Sequence, residues 1–183
     1  VFNIRGYNLT VSTACCAGNM AVAQGYNAVS SGMADILIAG GADTPIYPLT
    51  YGLYAAAHAM TSNNGDPKTV LCPYDKRRSG YALGEGAGTL ILEEMGHAQR
   101  RGARIYAEIL GFGLTNDAAE LNVFSAETRD IIKAFQIALA RTSLKPEDVE
   151  YVCGHAHSSL IMDKKETEAI KSVFGGHAYK LAV

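Results

Sequence analysis

The sequence lacks a large excess of charge of either sign. Its 183 residues carry a formal net charge of -2, which gives no reason to expect a nucleic acid or an anionic membrane as a partner. No apolar run is long enough to span a bilayer, and no basic-then-apolar segment of the secretory kind is present. Its four cysteines form no framework typical of a secreted protein. We therefore expect a cytoplasmic protein that binds neither nucleic acid nor membrane.

Internal repeats and low-complexity segments are also missing. Predicted strands and helices alternate along the chain, which indicates the α/β class. The opening predicts a strand over 8–13, a helix to about Gly32 and a strand over 34–43 that is buried on both faces, as in a parallel sheet with a crossover helix. Further strands are expected over 89–93, 105–114 and 149–155, and further helices over 51–60, 94–101, 126–142 and 163–174. The start without methionine and the apolar end, Leu181-Ala182-Val183, lead us to expect a piece of a larger protein.

Cys15 lies in a turn of small residues between the first predicted strand and helix. The free N–H groups and the positive dipole at a helix N-terminus favour a thiolate over a thiol. Cys15 is therefore a candidate nucleophile for an acyl group. The alternative is a small apolar cysteine with a packing role.

Cys153, His155 and His157 alternate along a predicted strand and would share one face of it. This set resembles half of a zinc site, although no second ligand pair at a suitable spacing is present. The other hypothesis pairs His155 with Cys15, because an imidazole near a thiolate can donate to an oxyanion or exchange a proton. For His157, a hydrogen-bonded residue at a strand end is the simpler interpretation.

The run Gly84-Glu85-Gly86-Ala87-Gly88 lacks the Lys-Ser/Thr of a phosphate-binding P-loop and precedes a strand. We interpret its glycines as sites of close backbone packing. The nearby Asp75, Arg78 and Glu85 are interpreted as surface or structural ion-pair residues. Asp163 and Glu166 share one helical face near its N-terminus, where they either cap the helix on a solvated face or orient a catalytic residue.

Several motifs together resemble the β-ketoacyl-acyl carrier protein synthases, of the elongating type that uses two histidines. The resemblance covers nearly the whole chain, and its most specific part is the run of Pro-x-Asp-x-x-Arg-x-Gly followed by Gly-Glu-Gly-Ala-Gly. The matching segments are Ser12-Thr13-Ala14-Cys15, Ala39-Gly40-Gly41-Ala42, Pro73-Tyr74-Asp75-Lys76-Arg77-Arg78-Ser79-Gly80-Tyr81, Gly84-Glu85-Gly86-Ala87-Gly88, Arg104 to Gly113, and His155 after Tyr151-Val152.

The resemblance implies an α/β, thiolase-like fold with layered αβαβα architecture, built from two similar halves. Residues 1–115 would be the later part of the first half and residues 116–183 the early part of the second. The implied reaction is decarboxylative condensation of an acyl group with a malonyl thioester in fatty acid or polyketide synthesis. It needs no free cofactor, because an acyl carrier protein brings each substrate on its phosphopantetheine. The resemblance also implies a homodimer, or a heterodimer with a sister subunit.

The resemblance assigns roles to individual residues. The catalytic cysteine falls on Cys15, beside Cys16, and the first catalytic histidine on His155; the second histidine and a lysine would follow residue 183. Asp163 and Glu166 match acidic positions that support that lysine. Tyr54 takes the place of a phenylalanine that gates the acyl pocket.

The chain also departs from the family pattern. Ala156-His157-Ser158-Ser159 replaces Gly-Thr-x-Thr, so His157 and Ser159 occupy positions that bind the pantetheine arm, and Asn122-Val123 replaces Thr-Ser. Two alternatives follow: a divergent acyltransferase, or a non-catalytic partner subunit. The presence of Cys15 argues against the second.

Overall fold

A computed structural model describes residues 3–119 and 125–183. The chain divides into two compact units, one of residues up to Tyr47 with Gly84–Ile109 and the other of Pro48–Leu83 with Leu110–Val183. The predicted division, with the boundary between residues 115 and 116, concerns likeness to the two halves of the thiolase-like fold and not compactness, and it stays a prediction. Among the described residues, no helix combines the length and the apolar character needed to cross a membrane.

The first unit is built on a pair of strands and a helix. Helix α1 is Ala17–Ser30, strand β1 is Ile36–Asp43, strand β2 is Gly86–Glu93 and helix α4 is Met95–Arg100. α1 packs on β1 through small side chains: Ala28 and Ala39 are buried, and a Cβ at Gly25 would meet the side chains of Leu37 and Leu92. Small residues at such a contact let the helix approach the sheet closely.

β1 and β2 pair antiparallel along their whole length, from Ile36 opposite Glu93 to Asp43 opposite Gly86. The parallel sheet was predicted between the opening strand and β1, and it is wrong for the described residues because residues 8–12 form no strand. Burial of β1 on both faces is wrong as well. Ile38 is 47% exposed and its partner Ile91 is 68% exposed, because α1 covers only the opposite face of this two-stranded sheet.

The glycine run differs from the prediction. A Cβ at Gly84, Gly86 or Gly88 would meet no described atom within 4 Å. The close approach is made instead by Gly40, whose Cβ position is occupied by the backbone carbonyl oxygen of Gly88 on the facing strand. Glycine is therefore required on β1 rather than in the run itself.

The second unit is mainly helical. It contains α2 (Pro48–Ala56), α3 (Pro67–Val70), α5 (Arg129–Ala140) and α6 (Met162–Phe174), with short 3-10 helices at Pro146–Asp148 and Gly175–Tyr179. α5 and α6 pack around Val152, Ile170 and Phe174, and the rings of Phe135 and Phe174 meet edge to face at 5.9 Å.

Two predicted strands are absent from this structure. Residues 105–114 are in neither helix nor strand. Over 149–155 a single parallel bridge joins Tyr151 to Ala182. Side chains alternate between two faces only where the backbone is extended as in a strand. Among the described residues, those directly after Val152 make no further strand pairing, so this alternation need not hold for them.

Candidate active site

Cys15 lies in the first unit, at the turn before α1. Ala14 has φ 52°, in the left-handed region that non-glycine residues rarely adopt. Cys16 is the N-cap of α1, and its Sγ donates to the carbonyl oxygen of Thr13 at 2.9 Å. Cys15 precedes the N-cap by one residue and is exposed. Both thiols are exposed, and they differ in that Cys16 makes this local hydrogen bond.

His155 and His157 lie in the second unit with their ring centroids 5.2 Å apart and their planes tilted by 36°. The predicted alternation of Cys153, His155 and His157 along a strand is wrong, because Ala156 at φ 51° and Ser158 at φ 61° turn the chain. Cys153 instead interacts with the Tyr151 hydroxyl, which raises the pKa of Tyr151. Within residues 3–119 and 125–183, no group of three or more ligating side chains could hold a metal ion, so the zinc alternative has no support here.

Glu166 of α6 fixes the backbone of the first histidine. Its Oε1 accepts from the N–H of His155 at 2.5 Å, and its Oε2 accepts from the N–H of Ala156 at 3.1 Å and from the Tyr74 hydroxyl at 2.7 Å. A carboxylate with three donors is held in one orientation, because each hydrogen bond to an ionised acceptor is strong and directional. These contacts argue against a solvated helix face for Glu166, and its predicted role of orienting a catalytic residue stays a prediction.

Asp163 is 1% exposed, so the alternative of a solvated helix face is wrong for this residue. Its Oδ2 accepts from the backbone N–H of Tyr74 at 2.8 Å and lies 3.5 Å from Nε of Arg78. Its Oδ1 has no hydrogen-bond donor among the described residues. A buried carboxylate needs such partners, because burial without them is costly.

The segment over 72–80 clamps the turn after His155. The N–H of Cys72 donates to Oγ of Ser158 at 3.3 Å and the N–H of Gly80 donates to its carbonyl oxygen at 2.8 Å. Arg78 donates through Nε to the carbonyl oxygen of Ser159 at 2.9 Å and through its Nη2 to that of Leu160 at 3.0 Å. Of the two predicted roles for Arg78, a surface or a structural ion-pair residue, the structure shows the structural one, because Arg78 lies 3.5 Å from the buried Asp163.

The other two charged residues near the glycine run are used locally. Asp75 makes an exposed ion pair with Arg77 at 2.9 Å, which holds the pKa of the Asp75 carboxyl below its usual range. Glu85 Oε1 accepts from the N–H of Ile46 at 3.0 Å. Neither contact reaches the histidines.

Aromatic rings connect Tyr54 to the histidine pair. The rings of Tyr54 and Tyr81 meet edge to face at 6.0 Å, and those of Tyr81 and His157 at 4.7 Å. Burial lowers the pKa of His157, its electrostatic interaction with His155 lowers this pKa further, and Asp163 opposes both effects. His157 Nδ1 is buried without a hydrogen-bond partner among the described residues. The prediction that His157 is a hydrogen-bonded residue at a strand end therefore does not hold for Nδ1.

Ser159 is used within the protein. Its Oγ accepts from the N–H of Met162 at 3.1 Å, which satisfies one of the free donors at the start of α6. Asn122 and Val123, the other departures from the family pattern, lie outside the described residues.

Comparisons with known proteins decide the family. Residues 1–98 match the N-terminal domain of beta-ketoacyl synthase, and residues 106–183 match its C-terminal domain. The chain belongs to the β-ketoacyl synthase family. The sequence resemblance is thereby confirmed.

Two curated relatives of this β-ketoacyl synthase chain carry different names. It is 41% identical to 3-oxoacyl-[acyl-carrier-protein] synthase 2 of Synechocystis sp. over 98% of its own length and 43% of the relative's. It is 38% identical to putative polyketide beta-ketoacyl synthase 1 of Streptomyces cyaneus over 97% of its own length and 42% of the relative's. The chain therefore spans less than half the length of these curated relatives.

A solved structure of a type II PKS acyl-carrier protein in complex with its ketosynthase, bound to the hexaketide, is similar with a TM-score of 0.90 and 34% identity. The likeness covers 93% of this chain and 42% of that one. The ishigamide ketosynthase/chain length factor is similar with a TM-score of 0.82 and 36% identity, over 91% and 39% of the two chains. The predicted α/β, thiolase-like fold class is confirmed by these likenesses.

Sequence reasoning missed Tyr74, Tyr81 and the clamp made by Arg78. The contacts of Tyr74 and Arg78 join residues that are 81 to 92 positions apart in the chain, which no local pattern reveals. A signal was available nonetheless: the long motif over 73–81 was the most specific part of the resemblance, and its residues surround the histidine segment.

Proposed function

We propose that this β-ketoacyl synthase catalyses decarboxylative Claisen condensation of an acyl group held on Cys15 with malonyl-acyl carrier protein. The observation that carries the proposal is the exposed Cys15 at a strained turn before α1, in a chain that matches both family domains. His155, held by Glu166 through its backbone N–H, supports the same function.

In the proposed reaction, the Cys15 thiolate attacks the carbonyl carbon of an acyl thioester, the bond from this carbon to the carrier sulfur breaks, and the carrier leaves as its thiolate. The backbone N–H of Cys15 contributes to an oxyanion hole for the tetrahedral intermediate. Malonyl thioester then loses CO₂, and the electron pair of the broken C–C bond forms an enolate. His155, with a second histidine that the resemblance assigns to a position beyond residue 183, stabilises this enolate. The enolate carbon attacks the acyl-Cys15 carbonyl and expels the thiolate, which completes a ping-pong cycle.

We infer that acyl carrier protein is the partner and that no free cofactor is needed. The solved complex of a related ketosynthase with its acyl-carrier protein supports this inference. A dimer, either of identical chains or with a sister subunit, is supported by the related ketosynthase/chain length factor pair. The four cysteines are free, which agrees with the predicted cytoplasmic location.

The residues near the histidines supply candidates for substrate contact. Tyr54 is proposed to border the acyl group. It is 40% exposed, and its ring contacts that of Tyr81, which in turn contacts the ring of His157. His157 is proposed to meet the pantetheine arm. For Ser159 this role competes with its cap on α6, so the carrier arm would have to share or displace that hydrogen bond.

The test is mass mapping of the full-length protein after exposure to an acyl-carrier thioester. We expect an acyl mass on the peptide that contains Cys15 and Cys16, lost in Cys15→Ser and retained in Cys16→Ser. A product lengthened by two carbons identifies condensation, whereas acyl exchange without lengthening favours the divergent acyltransferase. Full product formation by Cys15→Ala would contradict the nucleophile and favour a non-catalytic subunit.

A further inference from the structure

We propose that Tyr74 is a positioning residue of the condensing site, which acts on His155 through the carboxylate of Glu166. The inference rests on the function proposed above. Tyr74 donates its hydroxyl to Oε2 of Glu166 at 2.7 Å, and the same carboxylate accepts the N–H of His155 at 2.5 Å. Three groups thus form one connected chain of charge-assisted hydrogen bonds.

The segment around His155 needs to be held. Ala156, the next residue, has φ 51°, and a non-glycine residue in the left-handed region costs of order 1–3 kcal/mol unless its surroundings compensate. Glu166 supplies that compensation through the N–H groups on both sides of the His155 carbonyl. If the carboxylate rotates, the two N–H groups lose their acceptor and the direction of the imidazole changes with them.

Tyr74 limits that rotation from the other side. Its backbone N–H is bound to the buried Asp163 at 2.8 Å, so both ends of the residue are anchored on α6. Its hydroxyl oxygen also fills the space that a Cβ at Gly154 would need. The tyrosine therefore touches the histidine segment directly at Gly154 and indirectly through Glu166.

The hydroxyl stays a donor under assay conditions. Burial, followed by the hydrogen bond and negative charge of Glu166, raises the pKa of Tyr74 well above its usual range. Phenylalanine at this position would keep the ring and the backbone contact to Asp163, and would lose the two contacts of the hydroxyl, to Glu166 and at Gly154. Tyr74→Phe is for this reason a specific probe of orientation.

The experiment compares full-length wild type, Tyr74→Phe and the control Tyr179→Phe. Tyr179 is 78% exposed and contacts Lys171 through its ring, so removal of its hydroxyl is expected to change nothing. Three quantities are measured: acylation of Cys15 by mass spectrometry, kcat and KM for condensation with malonyl-acyl carrier protein, and deuterium exchange of the peptide that contains His155.

We expect Tyr74→Phe to lower kcat for condensation about tenfold, the order of effect of a hydrogen bond to a charged group. KM and acylation of Cys15 should stay within about twofold, because neither uses His155 in the proposed mechanism. Exchange at His155 and Ala156 should accelerate.

Any of four outcomes would overturn the inference. Unchanged condensation in Tyr74→Phe would refute the role of the hydroxyl. An equal fall in acylation and condensation would indicate a merely structural role, and unchanged exchange at His155 would show that the hydroxyl does not hold the histidine segment. A wild type in which Cys15 takes no acyl group would instead refute the proposed function and the inference with it, so the two failures are distinguishable.

Discussion

The buried carboxylate of Asp163 offers a sharp test of how α6 and the 72–80 segment are held together. Replacement of Asp163 by alanine removes the acceptor of the Tyr74 N–H and the anion next to Arg78, whose side chain is only 15% exposed. A hydrogen bond to a charged group contributes about 1.5–3 kcal/mol. Removal of one partner from a buried ion pair costs about 3–5 kcal/mol.

These two effects overlap, since they arise from the same carboxylate, and Arg78 keeps its hydrogen bonds to the carbonyl oxygens of Asp75, Ser159 and Leu160. We therefore expect Asp163→Ala to lower the free energy of unfolding by about 3 kcal/mol. Asp163→Asn keeps an acceptor for the Tyr74 N–H and loses only the charge, so it should cost about half as much.

The assay is chemical denaturation of the full-length protein, followed by the shift of the midpoint at constant slope. Glu168→Ala is the matched control: this carboxylate is also on α6, but its pair with Lys164 at 3.8 Å is exposed, and such pairs contribute about 0–1 kcal/mol. A loss in Asp163→Ala no larger than that in Glu168→Ala would refute the reasoning. A double variant with Arg78→Met should lose less than the sum of the single losses, because the two residues interact.

Three more predictions concern other parts of the chain. Gly40→Ala should destabilise the protein by about 1–3 kcal/mol, because the new Cβ would overpack against a backbone carbonyl. Gly86→Ala is the control and should cost less than about 1 kcal/mol, because the space around Gly86 is open. Thermal unfolding of both variants checks this, and equal effects would contradict it. Phe174→Ala should cost about 3–5 kcal/mol in denaturation because its ring is 5% exposed in the core, and the exposed Leu160→Ala is the control. The pKa of His157 is lowered in the folded chain, so the unfolded chain binds a proton at this residue more readily than the folded chain does. The contribution of His157 to stability is therefore complete above the ordinary histidine pKa of about 6.5 and is lost as the pH falls through the lowered pKa. Unfolding measured from pH 7 to pH 5 should therefore show a smaller decline in His157→Asn than in wild type, and identical profiles would count against this assignment.

Local pattern was sufficient for part of the fold. The apolar spacing and the terminal glycines predicted a helix over 163–174, and the structure has Met162–Phe174. The helix after Cys15 and strands β1 and β2 were likewise confirmed within a few residues. These features are local, since each depends on residues a few positions apart.

Strand pairing was not determined locally. The apolar run of β1 fits a parallel or an antiparallel partner equally well, and its partner β2 lies about fifty residues further along the chain. The predicted strand over 149–155 is reduced to one bridge, between Tyr151 and Ala182, because a strand also needs a paired neighbour that no local pattern supplies. The turn that follows it was not predictable either, since the left-handed backbone at Ala156 and Ser158 is carried by residues that do not favour it.

For the site, sequence alone determined the family and the candidates Cys15 and His155, because the motifs that carry chemistry are short and contiguous. Their catalytic roles stay predictions. Only the tertiary structure showed that Glu166 holds the His155 backbone, that Asp163 is buried against Arg78, and that Tyr74 joins the two. The physical reason is that a carboxylate on a helix surface and one that is desolvated and hydrogen-bonded look the same in sequence, and only folding brings distant donors within 3 Å of it.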